Sequence, residues 1–228
     1  MYTYTLIANS TSILRSDGAV IPAVEANSDY AAYLKWVAAG NTTNPVPGPT
    51  LAQAQATQMA LLNSTCQTAI TSGFTSSALG TPYTYPSQIT DQLNLNSCAS
   101  AANIALTSPA WVAGGTVATG QLTTMINQGF IATQGGVSSS NAQNWSVTPV
   151  DDGSVVWNVW TVPFKCMNSS GTWAYVAHTA SQMRQVGLDG VATIGALLQQ
   201  YDALAAQVVA ATTVADVQAI VWPVTSIS

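Results

Sequence analysis

Val155-Val156-Trp157-Asn158-Val159-Trp160-Thr161-Val162 and, beyond Asn168-Ser169-Ser170-Gly171, the run Thr172-Trp173-Ala174-Tyr175-Val176-Ala177 decide how the rest of the chain is read. β-Branched and aromatic residues dominate both runs and a polar Gly-containing segment separates them, which predicts a Trp-rich β-hairpin. His178 follows at once, and Thr179-Ala180-Ser181-Gln182 then has the spacing of a capping box. From there Met183, Val186, Ile194, Leu197, Tyr201, Leu204 and Val208 fall on one stripe, which predicts a long helix packed by one face. Thr213 with Asp216 caps a last short helix carrying Val217, Ile220 and Val221, stopped at Trp222-Pro223. A hairpin followed by packed helices places the chain in the α+β class.

Outward toward the N-terminus, Tyr2, Tyr4 and Leu6 alternate with Thr3 and Thr5, and Asp17-Gly18 supplies a turn before Ala19-Val20-Ile21, so a small strand pair is expected. A helix follows, capped by Asn27 or Ser28, with Tyr30, Tyr33, Leu34 and Val37 at helical spacing and Gly40-Asn41 as its stop. Pro45, Pro47 and Pro49 read as a stiff extended linker. Thr50 with Gln53 opens a second helix along Met59, Leu62, Cys66 and Ala69, closed loosely by Gly73 and Gly80. Tyr83-Thr84-Tyr85-Pro86 reads as an edge strand, because proline is tolerated there. Asp91 to Leu106 is helical through Leu93, Ala101 and Ile104 but shows no strong cap, and 111–146 reads as a polar, Gly-paired loop region around one short helix at about 121–128. The expected organisation is an N-terminal attachment module over 1–46, a linker and helix over 47–80, and an α+β domain over 81–223 with a polar insertion at about 108–148.

Composition narrows the function classes. The chain has 228 residues, 48% of them hydrophobic and only 6% charged, with a net charge of −5. Between Lys35 and Asp91, and again between Asp91 and Asp151, no Asp, Glu, Lys or Arg occurs. Interspersed charge keeps free subunits apart, so a surface finished in Thr, Ser, Asn and Gln favours packing against other subunits. Arg15, Lys35, Lys165 and Arg184 form no basic stripe, which argues against nucleic-acid binding. Every apolar stretch is interrupted before the ~20 residues of a spanning helix, and the N-terminus lacks the pattern of a signal peptide, so neither membrane insertion nor Sec export is expected. Cys66, Cys98 and Cys166 are odd in number and far apart, which points to buried small hydrophobes and not to a disulfide framework or a zinc site.

No catalytic constellation is legible. His178 is the single imidazole, and its place beside a helix cap points to orienting that turn; Asp151-Asp152-Gly153 reads as a turn ahead of a strand. Neither a metal nor a phosphate loop has its spacing here, so no cofactor is expected and the chain reads as a non-enzyme. Of seven Trp, core packing accounts for most. Trp111 and Trp145, at the ends of the insertion, are the candidates for contact with a partner or a glycan.

Ser12-Ile13-Leu14-Arg15-Ser16-Asp17-Gly18-Ala19, Ile21-Pro22-Ala23, Asn27-Ser28-Asp29-Tyr30-Ala31-Ala32-Tyr33-Leu34-Lys35-Trp36 and Gly40-Asn41-Thr42 together resemble the leader of small phage tail and tail-fibre-assembly proteins. Asp91-Gln92-Leu93-Asn94-Leu95, the Trp173 hairpin, His178-Thr179-Ala180-Ser181-Gln182 and Thr213-Val214-Ala215-Asp216-Val217-Gln218-Ala219-Ile220 resemble an uncharacterised domain that recurs in phage tail-fibre and fibre-assembly proteins. Members of that group place the hairpin sooner after the Asp91 segment, so 111–146 is an insertion relative to them. The resemblance implies a structural component of a tailed bacteriophage virion, made in the host cytoplasm and associated with the tail fibre or baseplate. Its partners would be other tail proteins and further copies of itself. A tail-fibre assembly chaperone and a receptor-binding module that takes glycans are the alternatives it leaves open. It carries over no catalytic residue.

Overall fold

The computed structural model describes residues 2–125, 128–139 and 154–223, and the fold is α+β. The chain divides into two compact units, Met1–Ala54 and Gln55–Ser228.

In the first unit three short strands, β1 (Tyr4–Leu6), β2 (Ile13–Arg15) and β3 (Val20–Ile21), form an antiparallel meander. The expected pair thus gains a middle strand, too short for alternation to reveal. Helix α1 (Ser28–Ala38) is capped by Asn27, whose side chain accepts from the N–H groups of Asp29 and Tyr30, and Gly40 ends it at φ +87°. Tyr4, Ile13 and Ile21 are buried beneath Tyr30, Tyr33 and Trp36. Arg15 ties the unit together, with Asp17 at 3.0 Å and Asp29 at 2.7 Å. Its guanidinium holds the Asp17 carboxyl below the usual carboxylate range.

The second unit is built on a four-stranded antiparallel sheet. Helix α2 (Leu51–Thr71), opened by Thr50 and Gln53 in reciprocal hydrogen bonds, leads into β4 (Phe74–Ser76) and β5 (Tyr83–Tyr85). Helix α3 (Ile89–Thr107) follows, and the cap not found in the sequence is the Asp91 carboxylate accepting from the Gln88 N–H at 3.1 Å. Strands β11 (Thr161–Met167) and β12 (Trp173–Thr179) make the hairpin, and the sheet order is β12-β11-β5-β4. β5 is therefore an interior strand, not the expected edge. Pro86 lies just beyond it, where the missing N–H costs nothing.

The hairpin is displaced from its expected position. Val156–Val159 forms β10, which joins a separate sheet beside β8 (Gln128–Gln134) and β7 (Leu122–Met125), in the order β10-β8-β7, while the strand that pairs with β12 starts at Thr161 and runs through Pro163. β-Branched alternation marks a strand but not its neighbour, and here one apolar run serves two sheets across a break at Trp160. The expected helix at 121–128 is also corrected: β7 (Leu122–Met125) and β8 (Gln128–Gln134) pair antiparallel, and β6 (Thr116–Val117) pairs with β9 (Gly136–Val137). Val117, Phe130 and Ala132 of the insertion bury together with Val155 and Trp157 beyond it, so the described part of the insertion shares a small core with β10.

Helix α4 (Ala180–Ala210) begins at Thr179, whose hydroxyl accepts from the Gln182 N–H while Gln182 Oε1 accepts from the Thr179 N–H. α4 covers one face of the four-stranded sheet and α3 packs on α4 and against β7 and β8, together burying Phe74, Tyr85, Leu95, Phe164, Met183 and Val186. Gly190 allows the close approach: a Cβ there would stand 3.0 Å from the Phe74 ring. Helix α5 (Val214–Ala219), capped by Thr213, buries Val217. α2 is fastened to these helices by Gln55, which donates to the Val208 carbonyl at 3.1 Å and the Ala211 carbonyl at 3.3 Å, and by Gln58, which donates to the carbonyl of Ile220.

Candidate functional site

The lone histidine is sealed inside. His178 has no exposed surface; its Nε2 lies 2.8 Å from the Tyr85 hydroxyl and its Nδ1 2.8 Å from the Val176 carbonyl. A carbonyl can only accept, so Nδ1 carries the proton and Nε2 accepts from Tyr85. Burial pushes the His178 pKa down and the Tyr85 pKa up, which keeps both neutral. Cys166 is buried beside them and its thiol is likewise pushed up by burial. A neutral imidazole, a protonated phenol and a protonated thiol without solvent access make a polar tie inside the core. They are not placed to meet a substrate.

Trp111 is half-buried against the Phe130 and Trp157 cluster and lines a cavity of about 180 Å³ with Val117, Thr123 and Trp157. Trp145 and Asp151-Asp152-Gly153, which the sequence reads as a turn, lie outside the described residues. Cys66 is buried on α2 and Cys98 half-buried on α3; all three cysteines are free. Among the described residues no group of three or more His, Cys, Asp or Glu could hold a metal ion, and no helix is long and apolar enough to cross a membrane.

Two surface features were not foreseen. A groove of about 760 Å³ runs between α3 and α4, with Leu95, Ile104, Leu188, Val191 and Ile194 among its lining and Arg184 as its charged group. Val191, 72% exposed, and Ile104, 59% exposed, stand on it in the open. The second feature is the sheet face away from the helices, where Trp173 and Tyr175 are exposed beside Lys165, whose ammonium sits 5.7 Å from the Trp173 ring centre. The alternation that revealed β12 also put Trp173 and Tyr175 on one face, but only their exposure in the fold shows that this face is open.

Compared with protein-family models, with curated proteins and with solved structures, the chain matches none. The geometry therefore has to carry the functional reading beside the sequence resemblance. It offers uncharged and apolar exterior surface, with its one imidazole withdrawn into the core.

Proposed function

We propose that this chain is a non-catalytic structural component of a tailed-phage tail, held in or beside the fibre or baseplate by protein–protein contacts. The phage setting rests on the resemblance of its leader and C-terminal half to tail modules. The observation that carries the contact role is an exterior almost without ions that exposes Ile104, Leu188, Val191, Trp173 and Tyr175. Large exposed apolar tracts on a folded chain are costly unless another protein covers them, and charges that would repel a neighbour are few here. Withdrawal of His178 supports the non-enzymatic part, because an imidazole without access to solvent cannot relay protons to a bound substrate.

Mass spectrometry of purified virions from an infection that expresses the chain tests this. Its peptides are expected in intact particles at a fixed ratio to the fibre protein. Presence in the lysate with absence from particles overturns the structural reading, and in that case soluble fibre formed only on co-expression would identify an assembly chaperone.

A further inference from the structure

Strand β12 forms one edge of the four-stranded sheet, and among the described residues no strand pairs with its outer side. Open edges are templates for another strand, and proteins blunt them by shortness, bulges, proline or charge. Other described edges are blunted in this way: β4 has three residues, and β10 has an irregularity between Val156 and Trp157. β12 lacks every such device. It keeps unbroken register over seven residues and contains no proline, Asp, Glu, Lys or Arg.

The hairpin fixes which groups face outward. The Asn168 N–H donates to the Thr172 carbonyl at 3.1 Å, and bonded pairs alternate from there, so Ala174, Val176 and His178 bond to β11. Trp173, Tyr175, Ala177 and Thr179 turn their N–H groups to the open side, and the first three also their C=O groups, the Thr179 carbonyl being engaged as the N-cap of α4. Pro163 fits the same parity, since its missing N–H falls on the side of β11 away from β12, and β5 pairs with β11 only at Met167. Of the outward N–H groups, that of Thr179 is taken by Gln182.

We propose that β12 is the surface through which this chain pairs with a second copy of itself, antiparallel about a two-fold axis through Val176. The strand's own sequence selects that occupant. Full overlap sets Tyr175 opposite Ala177 of the second copy and Trp173 opposite its Thr179, a large side chain over a small one each time, and Val176 meets its own counterpart. A charged strand folded onto its copy would bring like charges together near the axis, whereas this one is neutral throughout. The pairing adds about four interchain N–H···O=C bonds and joins two sheets into one closed at its centre. It deepens the assembly reading above and rests on it for its biological setting. The test uses the purified chain alone, so either can fail without the other.

Sedimentation equilibrium of the full chain is expected to give a dimer. Tyr175→Pro deletes an outward N–H and spares the hairpin bonds, so it is expected to weaken dimerisation by at least about a hundredfold with circular dichroism unchanged. Val176→Cys is expected to give a disulfide-linked dimer under mild oxidation, because facing residues at a non-bonded antiparallel position stand about 4.5 Å apart at Cα. A monomer at every concentration overturns the proposal, including one that captures an extended peptide of another protein. So does a dimer that ignores Tyr175→Pro and gives no crosslink at Val176→Cys. Should Tyr175→Pro unfold the chain, the crosslink decides alone: its formation supports the two-fold, and its absence in a dimeric protein overturns it.

Discussion

His178, which the sequence reads as orienting the turn ahead of α4, is fully enclosed in the fold. Its imidazole is held between the Tyr85 hydroxyl and the Val176 carbonyl, and burial lowers its pKa. The folded state therefore resists protonation that the unfolded chain accepts below about pH 6.5. The unfolded state then binds more protons, so stability is at its full value above that pH and is lost as pH falls toward the depressed folded pKa, at up to about 1.4 kcal/mol per pH unit. Because the chain has a single His, urea unfolding at pH 7.5, 6.5 and 5.5 isolates it. A flat profile over that range would contradict the neutral, buried state. Removing the ring by His178→Ala strands the Tyr85 hydroxyl and leaves a cavity, with an expected loss on the order of 3 kcal/mol in denaturant unfolding. Gly73 presents a similar case of local necessity. It sits at φ +110° and a Cβ would stand 2.7 Å from the Tyr85 carbonyl oxygen, so Gly73→Ala is expected to lower the melting temperature through both strain and displacement of β5.

At the scale of elements, capping decides where helices begin, and that chemistry is local enough to read directly. Thr50 with Gln53, Asn27, Thr179 with Gln182, and Thr213 with Asp216 all cap as their spacing predicts. Thr179→Ala is expected to cost about 1 kcal/mol in urea unfolding, while Thr179→Ser retains most of the stability. Loss equal for Ala and Ser would point to packing of the Thr methyl instead of the cap. Strand partners were less legible. The run Val155–Val162 contributes to two sheets, and the Gly- and Thr-rich stretch around Leu122 and Phe130 forms strands where a helix was expected. Apolar residues at 122, 125, 126, 130 and 131 satisfy a helical count, but Leu122–Met125 pairs with residues 128–131 as a hairpin, and a Cβ at Gly129 would stand 2.7 Å from that of Ala105. Gln55 also acts at this scale: its amide serves the last carbonyls of α4, so Gln55→Ala is expected to cost about 1 kcal/mol, read as a lower urea midpoint with unchanged slope.

For the whole molecule, scarcity of charge governs behaviour. With 4 basic and 9 acidic residues, self-association should depend little on salt. Raising ionic strength from about 0.05 to 0.5 M is expected to change the dimer constant by less than about threefold, because screening acts only on charges that face one another. A steep salt dependence in sedimentation would show that ions such as Lys165 or Arg184 carry the contact instead. Each compact unit also has a core of its own, so a chain starting at Pro49, which keeps the Thr50 cap of α2, is expected to fold and unfold cooperatively on its own.

The α+β class, the helices opened by Asn27, Thr50, Thr179 and Thr213, and the scarcity of charge were set by the sequence alone, since propensity, capping and composition act over a few residues. Which strands are neighbours, which edge stays open, how deeply His178 is enclosed and where α3 and α4 leave a groove were decided only by tertiary structure. Those properties depend on residues such as Tyr85 and His178, or Ala105 and Gly129, that meet across long stretches of chain. Periodicity fixes which face a side chain takes, but it does not specify what that face will meet.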